Sequence, residues 1–221
     1  FLPYCIQMTF KLPKLIATSV VRGSVQGESH GGIYTVDFDK KEAEQHVDWN
    51  TSDIDFEGRG ADRGLRGICF HDEYIYIAAS DELFCYNKNF ESNNSFKNRY
   101  LKHAHEICRI EKRIFLTSTG FDSLLSFNLE TKRFDWGFQL RREYDQWTGG
   151  LFDPRKSIGP RPVNDFHINM VDVNEDGIFL SGLKTEGLLH IGADNKVRKV
   201  CELPLGTHNP KFWKNGIIFN D

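Results

Sequence analysis

The 221-residue chain carries 28 Lys plus Arg against 31 Asp plus Glu, a formal net charge of -3, and 39% hydrophobic residues, enough apolar material for one sizeable globular core. So even a balance offers no basic face for phosphates, which removes nucleic acid from the expected partners. Membranes are not expected partners either, because no apolar run approaches the roughly 18 to 20 residues of a spanning helix. The opening FLPYCIQMTF lacks the basic start and long apolar middle of a signal peptide, so a cytoplasmic setting is expected. The five cysteines Cys5, Cys69, Cys85, Cys108 and Cys201 are odd in number with no CxxC spacing, so neither a disulfide framework nor a zinc ribbon follows.

Composition leans toward strands: 18 Phe, 7 Tyr and 19 Gly, with short apolar or β-branched runs cut by turn residues. In chain order, Leu15 to Lys41 supplies the second and third strands of a first unit, its HGGIYTVDFD matching a later DSLLSFNLE. A copy beginning at Arg66 reads RGICFHDEYIYIAASDELFCYNKN. The next begins at His105, where Ile107 to Ile110, Arg113 to Thr117 and Leu124 to Leu129 form three successive antiparallel strands, a meander. Alignment of the two sets Arg66 against His105, Cys69 against Cys108, and Ile75-Tyr76 against Ile114-Phe115. Further copies start at His167 and at His208, the last stopping after two strands. The step is 39 residues from Arg66 to His105 and 41 from His167 to His208, but 62 from His105 to His167. The excess is the polar, Gly- and Pro-bearing stretch Arg142 to Pro162, expected as a loop inserted between repeats.

Four-stranded units of about forty residues predict an all-β chain, a β-propeller of four-stranded antiparallel blades whose innermost strands line a channel. Residues 1–221 then form a single domain of about four and a half blades: either a five-bladed ring closed by N-terminal strands, or a fragment of a larger ring. A β-sandwich of short strands competes, but it predicts no in-register repeat of Arg66, His105, His167 and His208.

Each repeat begins where its inner strand begins, so these four residues are expected at one end of the channel, pointing toward one another. His30, in a turn expected on the same face, and His103, two residues before His105 on a strand of period two, join them. Imidazoles gathered on a rigid ring can bind one divalent metal ion, with His105, His167 and His208 as ligands and Glu106 as the catalytic proton carrier. A metal-dependent lyase or hydrolase would follow. In a second reading the site is metal-free and binds a small polar or anionic ligand through Arg66, His30, His103, Asn169 and Asn209, Arg66 gripping it by a bidentate fork. In a third, these polar groups only bond water and backbone, and the chain is a protein-interaction scaffold. Its partner would then dock on a blade face or on the Arg142 to Pro162 loop, whose Tyr144, Trp147 and Phe152 are aromatic types favoured at interfaces.

Other motifs have plainer readings. DVNEDG from Asp172 to Gly177 begins like a calcium loop but has Leu183 where the twelfth-position Glu belongs, so a hairpin turn is expected. Glycine-rich Glu57 to Gly64 has no helix pattern after it and reads as a connection between blades, with Arg59 and Arg63 near the pocket. Cys69 and Cys108 read as buried filler, Ser118 and Ser181 as turn residues, and Trp49 and Trp136, each after an Asp, as edge packing. Sequons at Asn50 and Asn93 matter only in a secreted protein.

The segments HEICRI, STGFDSLLSFNLE, DFHINMV and GTHNPKFWKNGIIFND resemble an uncharacterised bacterial β-propeller family, a domain of unknown function, over Leu15 to Asp221. The resemblance implies a propeller with no settled activity. A looser likeness is to streptogramin lyase and lactonase-like propellers, which implies a metal-dependent site on the axis, although no lyase motif matches residue by residue.

Overall fold

A computed structural model describes residues 12–25, 27–50 and 64–220. The first sheet holds β1 (Leu15–Thr18), β2 (Gly32–Asp37) and β3 (Glu42–Asp48), and the second β4 (Leu65–His71), β5 (Tyr74–Ala79), β6 (Glu82–Tyr86) and β7 (Ser92–Lys97). The third holds β8 (Ile107–Ile110), β9 (Arg113–Ser118), β10 (Ser123–Asn128), β11 (Arg133–Glu143) and β12 (Gln146–Phe152). The fourth holds β13 (Ile168–Asn174), β14 (Gly177–Gly182), β15 (Gly187–Ile191) and β16 (Val197–Glu202), and the fifth β17 (His208–Trp213) and β18 (Gly216–Asn220). In every sheet the spatial order is the chain order, and all ladders are antiparallel. The meanders expected from the repeat are therefore present, and β8, β9 and β10 lie within a residue of the strands read from the sequence. Among the described residues the one helical element is a short 3-10 turn, Thr119–Phe121, and no helix is long and apolar enough to cross a membrane.

The core lies in the seams between sheets. On β9, Ile114 and Leu116 join the cluster shared with β4 to β7, whereas Phe115 joins the cluster shared with β13 to β15. On β5, Tyr76 and Ala78 face the third sheet and Ile75, Ile77 and Ala79 the first. Alternate side chains of one strand thus feed two cores, which explains why the second strand of each repeat reads as a continuous apolar run. The first strands β4, β8, β13 and β17 contact one another in succession. β1 packs on β4 as β9 packs on β13, so β1 holds the second-strand position that the repeat assigned to it.

Arg142 to Pro162 is not simply a loop. β11 runs on to Glu143, and β12 returns from Gln146 to Phe152 as a fifth strand. Tyr144 and Asp145, with φ of 46° and 65°, form the two-residue turn that places Glu143 opposite Gln146. Gly149 looks like a loop residue but serves packing, because a Cβ there would stand 2.3 Å from the Phe138 ring on the facing strand. Gly137 clears the Phe152 ring in the same way. The irregular part is 153–167. It is pinned by Asn98 Nδ2 donating to the Pro154 carbonyl at 3.1 Å, the Tyr100 hydroxyl donating to the Ser157 carbonyl at 2.9 Å, and Val163 N–H donating to the Gly120 carbonyl at 3.0 Å.

Candidate functional site

The seam between the second and third sheets brings the blade entries together. Gly67 N–H donates to the His105 carbonyl at 2.9 Å, and the two strands approach so closely that a Cβ on Gly67 would stand 2.6 Å from the Ile107 nitrogen. Beside this contact a cavity of about 490 Å³ is lined by Arg66, His105 and Glu106, with Ile16, Val20, Leu65 and Ile68 among its apolar walls. The repeat registers Arg66 with His105, and the fold sets both at one opening.

His105 is held by its Nδ1, which lies 2.8 Å from the His103 carbonyl and 2.9 Å from Thr119 Oγ1. The carbonyl can only accept, so Nδ1 carries the proton and Nε2 the lone pair. Thr119 Oγ1 in turn donates to the Ile168 carbonyl of the next blade at 2.5 Å. His167 packs its ring edge to face against His105 with centroids 5.2 Å apart. His167 has φ of 55°, and its backbone is fixed by Asp122, whose carboxylate accepts N–H bonds from Asp165, Phe166 and His167 at 2.6, 3.1 and 3.0 Å. Burial pushes the Asp122 carboxyl up to about 6 against the pull of those three donors. The TGFDS and DFHIN segments, 43–45 residues apart, are therefore one clamp, and Asp122 is a positioning residue that periodicity alone did not reveal.

His208 sits apart from the His105 and His167 pair. The Asn169 side-chain amide lies 3.2 Å from its Nδ1. Partial burial, then the positive fields of Arg22 and Arg66, lower its pKa. Asn169 is buried, and its Oδ1 has no hydrogen-bond partner among the described residues. Burial raises the Glu106 carboxyl, while the Lys211 charge, the Ile107 N–H and the Asn209 side chain pull it down.

Two expected members lie elsewhere. His30 is fully buried in the loop between β1 and β2, its Nδ1 2.7 Å from Ser24 Oγ and its ring edge on to Trp49. His103 is not on a strand: with φ of 59° it turns the chain, offers its carbonyl to His105, and lines a different groove. The strand period of two does not hold across a left-handed residue. Arg59 and Arg63 lie outside the described residues.

Among the described residues no group of three or more His, Cys, Asp or Glu side chains is placed to hold a metal ion. His105 and His167 are neighbours, and His208 is bonded through its Nδ1 to Asn169. Cys69 behaves as filler: burial pushes its thiol up to about 12, and native Cys69 should alkylate about a thousandfold slower than an exposed thiol, as read by mass spectrometry of iodoacetamide-treated protein. The turn at Asn174 to Gly177 is a hairpin, as expected.

Face-stacked antiparallel meanders with successive first strands in contact define a β-propeller. No family model matches the chain, and no curated protein does. Among solved structures, a chain of the mitotic checkpoint complex superposes with a TM-score of 0.52 at 8% identity, covering 92% of this chain and 66% of that one. Virginiamycin B lyase from Staphylococcus aureus superposes with a TM-score of 0.50 at 10% identity, covering 85% and 69%. The WD40 β-propeller domain of Doa1 gives 0.49 at 11% identity, covering 85% and 56%. Such identities show the fold alone, and this chain spans about two thirds of the length of the first two.

Proposed function

We propose that the protein binds a small polar or anionic ligand in the axial cavity at the blade entries. The observation that carries this reading is the meeting of Arg66, His105 and Glu106 at one cavity with apolar walls. Arg66 supplies a planar fork for a carboxylate or phosphate oxygen. His105 lines the same opening, its ring oriented by the His103 carbonyl and Thr119. His167 braces that ring, and Asn209 on the next inner strand bonds Glu106 through its side chain. Turnover by a metal-assisted lyase or hydrolase has less support, because the three-histidine set is not grouped; Glu106, raised by burial, is the residue suited to carry a proton in any such chemistry.

The test is calorimetric titration of a panel of small carboxylates and phosphates, with elemental analysis of the same preparation. Arg66→Gln should weaken an anionic ligand about tenfold or more, the size of a lost hydrogen bond to a charge. His105→Ala should weaken it less and leave the fold intact. No saturable ligand in the panel, or binding indifferent to Arg66→Gln, would sink the reading, and one metal ion per chain would restore the metal-dependent one.

The scaffold reading draws on the β11–β12 arm. Tyr144 at its tip is fully exposed, at 102%, and Leu151 is exposed as well. Trp147, packed against Phe166 and under Arg142, and Phe152, against Tyr100, are half-buried, so only Tyr144 of the three expected aromatics is presented outward.

A further inference from the structure

We propose that the groove between the second and third blades, outside the axial cavity, is a second binding site for an organic anion that joins a phosphate-like head to an apolar body. The groove has a volume of about 400 Å³ and is lined by Lys97, Arg99, Lys102 and His103, over a floor of Leu101, Phe121 and Pro162. That volume is within the range of small-ligand pockets, roughly 300 to 1,000 Å³. Asp81 is the one carboxylate in the lining, set against three permanent cations, in a chain whose overall charge is -3. Lys97 is partly neutralised by Glu82 at 3.5 Å, whereas Arg99 and Lys102 have no ion pair among the described residues. Among the described residues the positive charge of Arg99 and Lys102 is thus not taken up by an ion pair, and Asp81 and Glu82 offset it only in part.

The walls are rigid. Tyr100 N–H donates to Asn98 Oδ1 at 3.0 Å, and Leu101 N–H to the Asn98 carbonyl at 3.0 Å. Ser118 Oγ donates to the Tyr100 carbonyl at 2.6 Å and accepts from Lys102 N–H at 2.9 Å. Gly120 N–H donates to the Lys102 carbonyl at 2.9 Å, and Ala104 N–H to the Ser80 carbonyl at 2.7 Å. Both sides of the groove are thus tied down before any ligand arrives, which lowers the ordering cost of binding. Gly120 sets the lysine: a Cβ there would stand 3.0 Å from Lys102 Cβ and Cγ, so the bare glycine lets the lysine stem lie flat along the wall. A doubly charged head would sit between Arg99 and Lys102, and an apolar body would lie on Pro162, behind which Leu101 and Phe121 are packed in the core. This site does not depend on the axial reading, since it shares with it none of Arg66, His105 and Glu106.

The test is calorimetric titration of the full chain with phenyl phosphate, and with inorganic phosphate and phenol as its separate halves, at low and high salt. Phenyl phosphate should bind about tenfold more tightly than inorganic phosphate, phenol should not register, and affinity should fall with salt. Arg99→Gln and Lys102→Gln should each raise the Kd about tenfold, as loss of a hydrogen bond to a charge does. Gly120→Ala, which displaces the Lys102 stem without changing charge, should weaken binding too, and Arg66→Gln should leave it unchanged. Thermal melts by circular dichroism verify that each variant is folded. No saturable binding, equal affinity for the two phosphates, or affinity lost through Arg66→Gln and kept in Arg99→Gln and Lys102→Gln would each overturn the proposal. The axial reading would stand or fall on its own panel.

Discussion

Gly67→Ala should cost the fold about 3 kcal/mol, the upper end for one carbon forced into a packed interface. The added Cβ meets the backbone of the facing chain, 2.6 Å from the Ile107 nitrogen and 3.0 Å from Glu106 Cα and carbonyl carbon. No flexible side chain is there to move aside, so the second and third blades must part. The bond from Gly67 N–H to the His105 carbonyl stretches with them, and Arg66, His105 and Glu106 lose their common opening. Urea denaturation measures the first effect, and amide chemical shifts of residues 104–107 report the second. Gly150→Ala is the control: its Cβ would have nothing nearer than an Arg141 nitrogen at 3.9 Å, and it should change stability by no more than about 0.5 kcal/mol. Equal costs for the two variants would refute the close approach at the seam.

Asp122→Ala should lower stability at pH 7 by about 2 kcal/mol and strip hydrogen-exchange protection from the amides of Asp165, Phe166 and His167. Removal returns the cost of burying a carboxylate, but it orphans three donors at once. Unchanged protection of those amides would show that the clamp does not fix His167. The pH dependence carries a separate signature. A carboxyl with a native pKa of about 6, above its ordinary 3.8, keeps in the folded state a proton that the unfolded chain has released. Stability due to this group therefore falls as pH rises from about 4 to about 6 and is level above, a drop of about 3 kcal/mol at most. Asp122→Asn cannot titrate and should lack that component, visible as the difference between the two stability curves.

Local patterning made most of the fold readable. Ile107 to Ile110 and Arg113 to Thr117 stand out as strands because each meander closes through short turns, so pairing partners are neighbours in the sequence. β12 was hidden for a physical reason: its turn uses Tyr144 and Asp145 at positive φ instead of Gly or Asn, and Thr148, Gly149 and Gly150 read as loop. Only the Phe138 ring, on another strand, reveals what Gly149 is for. In the candidate site, Arg66 and His105, which share a repeat position, line one opening, and the His167 ring lies on His105. Register says at which end of a strand a residue lies, but not how a loop rotates it. His30 therefore turned inward onto Ser24 and Trp49, and His103 turned away through its left-handed backbone. The Asp122 clamp was unreadable because it joins two blades and its donors are backbone N–H groups, which every residue but proline has.

The meander order also bears on how the chain reaches this state. Every hydrogen-bonded ladder joins strands adjacent in sequence, so each sheet can form with small loop-closure entropy and without waiting for distant partners. The slow, cooperative events are then the dockings of one sheet on the next, where Gly67 meets Ile107 and Asp122 captures the backbone of 165–167.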